Sequence, residues 1–200
     1  PISSDHEKVL ALAKACCLGG TDCLQLRAKE IQARPLLELA KRFVSICNSH
    51  NVISIINDRI DIAVLSQADG VHLGQTDISI QDARKLSTAP MICGISTHSP
   101  QELKAAIAQA PDYIALGPAF PTKTKPHLEI AGCDYIRKAI KTLESTGIPH
   151  VAIGGIDATN LDRILAADAT SIAICSAVSK PKDPENACRQ MKATILSFKQ

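Results

Sequence analysis

Apolar and polar positions along this 200-residue chain follow two alternating rhythms. Short apolar runs recur at Cys23 to Leu26, Val52 to Asn57, Gly70 to Leu73, Met91 to Ile95, Tyr113 to Leu116, Val151 to Ile153 and Ser171 to Cys175. Their shortness predicts seven buried strands. Between them, apolar residues fall at three-and-four spacing, as in Leu36, Leu37, Leu39, Ala40, Phe43, Val44 and again in Ile136, Ala139, Ile140, Leu143. That spacing predicts crossover helices. Strict alternation of the two implies parallel strands with helices outside, and units of roughly 20 to 30 residues suit either a (β/α)8 barrel or a doubly wound sheet. Seven strands are one short of a barrel, and the chain opens without methionine into a helix-like stretch, Asp5 to Cys17. The expectation is therefore a (β/α)8 TIM barrel, parallel, with its first strand absent from this chain. The plain alternative is an open seven-stranded sheet that never had an eighth.

Composition narrows the setting. With 46% hydrophobic and 21% charged residues and no visible linker, residues 1–200 read as one domain with a core. Apolar runs fall well short of the ~18 to 20 residues that span a bilayer, and Pro1 to Leu10 mixes charges where a signal peptide is apolar. A cytoplasmic, membrane-free protein is expected. A net charge of +2 and 2% aromatic residues argue against a nucleic-acid surface and leave room for a small anionic ligand. The eight cysteines (16, 17, 23, 47, 93, 133, 175, 188) form no CxxC pair and no cluster with histidine, so they read as buried small apolar side chains in a reducing compartment.

Candidate chemistry gathers where the strands end. In Cys23 to Lys29, period-two geometry sends Gln25, Arg27 and Lys29 to one face and Leu24, Leu26 and Ala28 to the other. A half-exposed edge strand explains that segment equally well. The tie is broken by the other junctions: Asn57-Asp58, Gly74 to Asp77, Ser96 to His98, Gly117-Pro118, Gly154-Gly155 and Ser176, all on the carboxyl side of a strand, where parallel α/β folds place ligand chemistry. Asp58 and Asp77, from neighbouring junctions, could converge on a hard cation, magnesium being the natural one. Taken singly, each is more commonly a helix N-cap. Asp61 reads as a first-turn charge. Arg27, Lys29 and Lys125 with magnesium suit a diphosphate, while Lys123 reads as solvent-facing. Gly117 to Gly132 is a long irregular stretch, and stretches of that size are usually functional. Within it Thr122 and Thr124 offer hydroxyls, or are simply polar. Gly154-Gly155 and Cys175-Ser176 lie where barrels bind phosphate through backbone N–H groups. Ser96 could touch a substrate's polar edge or serve as a cap, although Ser99 to Glu102 already supplies one. His72 and His98 lack zinc spacing and read as satisfied structural histidines.

Taken in order, LQLRAK, IINDRIDIA, ADGVHLGQTD, CGISTHS, DYIALGPAFPTKTKP, VAIGGI and ICSAV resemble the thiamin phosphate synthase (thiamin-phosphate pyrophosphorylase) family over nearly the whole chain. The resemblance implies a (β/α)8 barrel that joins a hydroxymethylpyrimidine diphosphate to thiazole phosphate, releasing pyrophosphate. It implies that Gln25, Arg27, Lys29, Asn57 and Lys125 hold the pyrimidine diphosphate, that Asp58 and Asp77 ligate Mg2+, and that Ser96 lies at the pyrimidine. It assigns Thr122, Thr124, Gly155, Cys175 and Ser176 to the thiazole phosphate. Arg27, Lys125 and Ser96 are the expected catalytic residues, stabilising the departing diphosphate and the pyrimidine. Where the family commonly has Arg-Glu-Lys, this chain has Arg27-Ala28-Lys29, which bears on how the two cations are oriented, although position 28 points toward the helices.

Two other functions compete. A thiazole tautomerase-like isomerase on the same barrel handles no diphosphate and has no need of Asp58 and Asp77. A non-catalytic barrel that senses thiazole phosphate or thiamin phosphate would keep the pocket without turnover. Fusion to a thiamin-pathway kinase in a longer chain is a further expectation that the family resemblance permits.

Overall fold

The computed structural model describes residues 6–87, 89–122 and 129–198. Among these, the chain runs α1 (His6–Leu18), β1 (Cys23–Leu26), α2 (Ala33–Ser49), β2 (Ile53–Asn57), α3 (Ile60–Ser66), β3 (Gly70–Leu73), α4 (Ile80–Leu86) and β4 (Ile92–Thr97). It continues with α5 (Pro100–Ala108), β5 (Tyr113–Leu116), α6 (Gly132–Glu144), β6 (His150–Ile153), α7 (Leu161–Leu165), β7 (Ile172–Ala173), α8 (Ser176–Ser179) and α9 (Pro184–Phe198). The strands form a single sheet whose order is the chain order, β1 to β7, with every neighbouring pair parallel. A doubly wound sheet needs a reversal of strand order, and there is none among the described residues. Same-handed crossovers that always step in one direction leave all helices on one face, and the sheet curls into a half-barrel.

Side-chain alternation assigns the two faces. Leu26, Ile56, Val71, Leu73, Cys93, Ile95, Ile114, Leu116 and Ala152 lie in one core between sheet and helices. The intervening residues, among them Gln25, Arg27, Asn57, His72, Gly94, Ser96, Tyr113 and Ala115, therefore face the concave side. Amphipathic helices close the outer layer, α2 burying Leu36, Leu39, Ala40, Phe43 and Val44, and α6 burying Ile136, Ala139, Ile140 and Leu143.

The seven strands expected from the sequence form one parallel sheet, in which β1 and β7 each pair with one neighbour among the described residues. Other expectations need correction. β4 extends past Ile95 through Thr97, because Ser96 and Thr97 pair with Ala115 and Leu116 and the Thr97 hydroxyl donates to the Ala115 carbonyl at 3.2 Å. Polar side chains continue a buried strand when they find partners inside. β7 is two residues long, shorter than Ser171 to Cys175, as suits an edge strand with one partner. Of the eight thiols, Cys23 and Cys175 are exposed and Cys133 is half-buried; only the other five match the buried reading, and all are free. Among the described residues no helix is long and apolar enough to cross a membrane.

Candidate active site

The ends of β1 and β2 carry the cationic part of the site. Gln25 is exposed on the concave face, and Arg27 follows the last strand residue. The Arg27 Nε is buried and has no hydrogen-bond partner among the described residues. Two residues on, Lys29 Nζ lies 2.7 Å from Asp58 Oδ2. Asn57 closes β2 and pairs in register with His72 of β3. Asp58 then turns into the left-handed region at φ 62°, with its N–H donating to the His72 carbonyl at 2.8 Å. Ala28, Lys29, Asn57 and Asp58 line a cleft of about 220 Å3. Ala28 points back into the helix-facing core, as its place in the alternation requires.

Neither aspartate does the commoner job of a residue after a strand. The N-cap position of α3 is Arg59 and that of α4 is Ser79, whose hydroxyl accepts the Asp82 N–H. Asp58 is instead paired with Lys29, and Asp77 Oδ2 accepts the Gly74 N–H at 2.7 Å. Each keeps its Oδ1 without a bond among the described residues. No group of three metal-binding side chains forms among the described residues. Magnesium does not require one, since it is commonly held by one or two carboxylates with substrate and water oxygens completing its shell. Two carboxylates that each keep an oxygen to spare fit that kind of donor set. Asp61 does sit in the first turn of α3, where Arg59, at 2.8 Å from Nε to Oδ1, holds its carboxyl below the ordinary aspartate value.

Ser96 is buried on the concave face and bound from two sides. His72 Nε2 lies 2.8 Å from its hydroxyl, and Gln75 Nε2 donates to its backbone carbonyl at 2.5 Å. His72 Nδ1 lies 2.8 Å from the Tyr113 hydroxyl, the two rings stacked with centroids 5.5 Å apart. Gly94 makes this possible: a Cβ there would stand 2.0 Å from the Tyr113 ring. His72 is thus a satisfied histidine as expected, yet satisfied by a site residue. Its link to Ser96 was legible only as two inward positions on neighbouring strands. His98 is held by Glu102, whose Oε2 also accepts the His98 N–H, and Ser99 accepts the Glu102 N–H at 3.2 Å, so the cap belongs to Ser99 and not to Ser96.

A third corner lies between β5 and β6. The Ala119 N–H donates to the Ile153 carbonyl at 2.9 Å and the Phe120 N–H to the Gly154 carbonyl at 3.0 Å. Gly155, at φ 66°, packs so tightly that a Cβ would meet the Pro121 carbonyl oxygen at 2.5 Å. Thr122 follows directly, half-buried, so Gly155 and the start of the long loop are brought together. Cys175 and Ser176 are exposed at the start of α8. Thr124 and Lys125, like Lys123, lie outside the described residues.

Comparison with known proteins supplies the rest. Residues 1–178 match the family model described as thiamine monophosphate synthase. The chain is 39% identical over 189 residues to a thiamine-phosphate synthase of Thermus thermophilus, covering 94% of this chain and 90% of that one. It is 37% identical to one of Gloeobacter violaceus, covering 92% of this chain and 53% of that longer one. A thiamine phosphate pyrophosphorylase structure from Pyrococcus furiosus superimposes with a TM-score of 0.85 at 29% identity, covering 94% and 90% of the two chains.

Proposed function

The chain belongs to the thiamine monophosphate synthase family, and from that premise we propose that it is a transferase joining 4-amino-2-methyl-5-(diphosphooxymethyl)pyrimidine to thiazole phosphate, giving thiamin phosphate and pyrophosphate. The observation that carries this reading is the Arg27 Nε, buried without an acceptor among the described residues, two residues before the Lys29–Asp58 pair. A buried guanidinium nitrogen is costly to leave unpaired, and a diphosphate oxygen answers it.

In the proposed reaction, the bond between the pyrimidine methylene and the diphosphate oxygen breaks, the electron pair leaving with the diphosphate. The thiazole nitrogen then forms a bond to the resulting methylene cation. Gln25, Arg27, Lys29, Asn57 and Lys125 hold the diphosphate and stabilise the charge that grows on it. Asp58 and Asp77 are the residues that would hold magnesium. When bound, the ion neutralises phosphate charge and favours departure of the leaving group. Thr122, Thr124, Gly155, Cys175 and Ser176 hold the thiazole phosphate close to the reacting carbon, and Ser96 meets the pyrimidine. No protein nucleophile takes part; positioning and electrostatics provide the acceleration.

The free edges of β1 and β7 lead us to propose closure of the whole protein into a (β/α)8 barrel by one further strand. One domain, a cytoplasmic location and, in some longer chains, fusion to a kinase of the same pathway accompany this reading. An isomerase, handling no diphosphate, has no need of Asp58 and Asp77 as a carboxylate pair, and a sensing protein is separated from a synthase by turnover. Incubation with both substrates and magnesium, followed by chromatographic detection of thiamin phosphate, tests the function. Product formation supports it, and binding of thiazole phosphate without product contradicts it.

A further inference from the structure

Tyr113, His72 and Ser96 form a chain of hydrogen bonds across three neighbouring strands, β5, β3 and β4, ending at the concave face. We infer that His72, fixed by Tyr113, is a positioning residue that turns the Ser96 hydroxyl into a hydrogen-bond donor toward the substrate's heteroaromatic ring. This rests on the reading above that Ser96 meets the pyrimidine.

The direction of each bond follows from what the groups can give. Burial pushes the Tyr113 phenol up, so it keeps its proton and is a donor in want of an acceptor. His72 Nδ1, 2.8 Å away, is that acceptor. A neutral imidazole that accepts at one nitrogen carries its proton on the other. Nε2 therefore donates to the Ser96 oxygen at 2.8 Å. With its lone pair engaged, Ser96 is left to offer its own proton outward. The complementary ligand atom is an sp2 ring nitrogen with a free lone pair, as a pyrimidine has, and a ring carbon in that place would lose the contact.

The surroundings keep the chain rigid. The stacked imidazole and phenol rings fill the space that Gly94 leaves open, and Gln75 fixes the Ser96 backbone from the opposite side. A hydroxyl free to rotate would present a donor only part of the time; this one is committed before substrate arrives.

The test compares Ser96→Ala, His72→Leu, His72→Gln and Tyr113→Phe with the parent protein in steady-state synthesis, with thermal midpoints confirming folding. Ser96→Ala and His72→Leu should each lower kcat/KM for the pyrimidine diphosphate about ten-fold, the worth of one net hydrogen bond, while leaving the KM for thiazole phosphate unchanged. His72→Gln, whose amide N–H replaces Nε2–H, should recover most of that loss. Tyr113→Phe should show a smaller loss of the same selective kind. If Ser96→Ala behaves as the parent, the placement of Ser96 at the substrate has failed. If Ser96→Ala is impaired but His72→Leu or Tyr113→Phe is not, the positioning role is overturned. It is overturned also if Leu and Gln at 72 are equally impaired toward both substrates, which is the signature of a merely structural histidine.

Discussion

Arg27 and Asp58 show how single side chains at two strand ends divide stability from function. Leaving the Arg27 Nε buried and unpaired costs the fold about 1 to 3 kcal/mol, which an incoming anionic oxygen would recover. Arg27→Ala should therefore lower synthesis by about 10²- to 10³-fold, the usual effect of removing one charge-stabilising donor, without lowering the urea midpoint. A variant that is both active and less stable would show Arg27 to be a structural cation. Asp58→Ala should reduce pyrophosphate release by a similar about 10²- to 10³-fold. Asp61→Ala, which removes only the partner of Arg59 on the surface of α3, should leave the rate unchanged. Equal rates for Asp58→Ala and the parent would remove the metal assignment. Residue scale is also where sequence reading ran short. Arg27, Lys29 and Asp58 were visible as polar breaks in apolar runs, but the Lys29–Asp58 contact joins different strands, and nothing in one strand's alternation predicts its neighbour's register.

At the level of elements, caps and charges decide where helices begin. Ser99 at the start of α5 accepts the Glu102 N–H, and Glu102 answers by accepting the His98 N–H. Ser99→Ala should cost about 1 kcal/mol in chemical denaturation, with synthesis unaffected; no loss would mean that Pro100 alone sets the start of the helix. In α3, Arg59 keeps the Asp61 carboxyl below its ordinary value, so the folded chain holds this proton less tightly than the unfolded chain does. The contribution of the pair is present above about pH 4 and fades as pH falls through the depressed value. The gap in urea midpoint between the parent and Asp61→Asn should accordingly close on acidification, and a gap constant with pH would contradict the pairing. Strand cores and the buried faces of α2 and α6 were legible because burial imposes a period. The end of β4 was not: Ser96 and Thr97 look like a loop until Ala115 and Tyr135 supply their partners.

For the whole molecule, chain-order strands with helices on one face put every strand's carboxyl end on the same rim. That arrangement collects Arg27, Lys29, Asp58, Asp77, Gly155 and Ser176 from widely separated parts of the sequence. Strand and helix alternation made the parallel architecture legible. Closure of the sheet was not, because β1 and β7 each pair with one neighbour among the described residues and local periodicity specifies nothing about what lies beyond a sheet edge. The central claim is that two aspartates and a set of cations draw pyrophosphate away from a pyrimidine. It is tested most directly by following pyrophosphate release from both substrates with magnesium present and then removed by a chelator. Release that depends on both substrates, stops on chelation and returns when magnesium is restored is the predicted result; release unaffected by chelation, or none with both substrates and magnesium present, would contradict it.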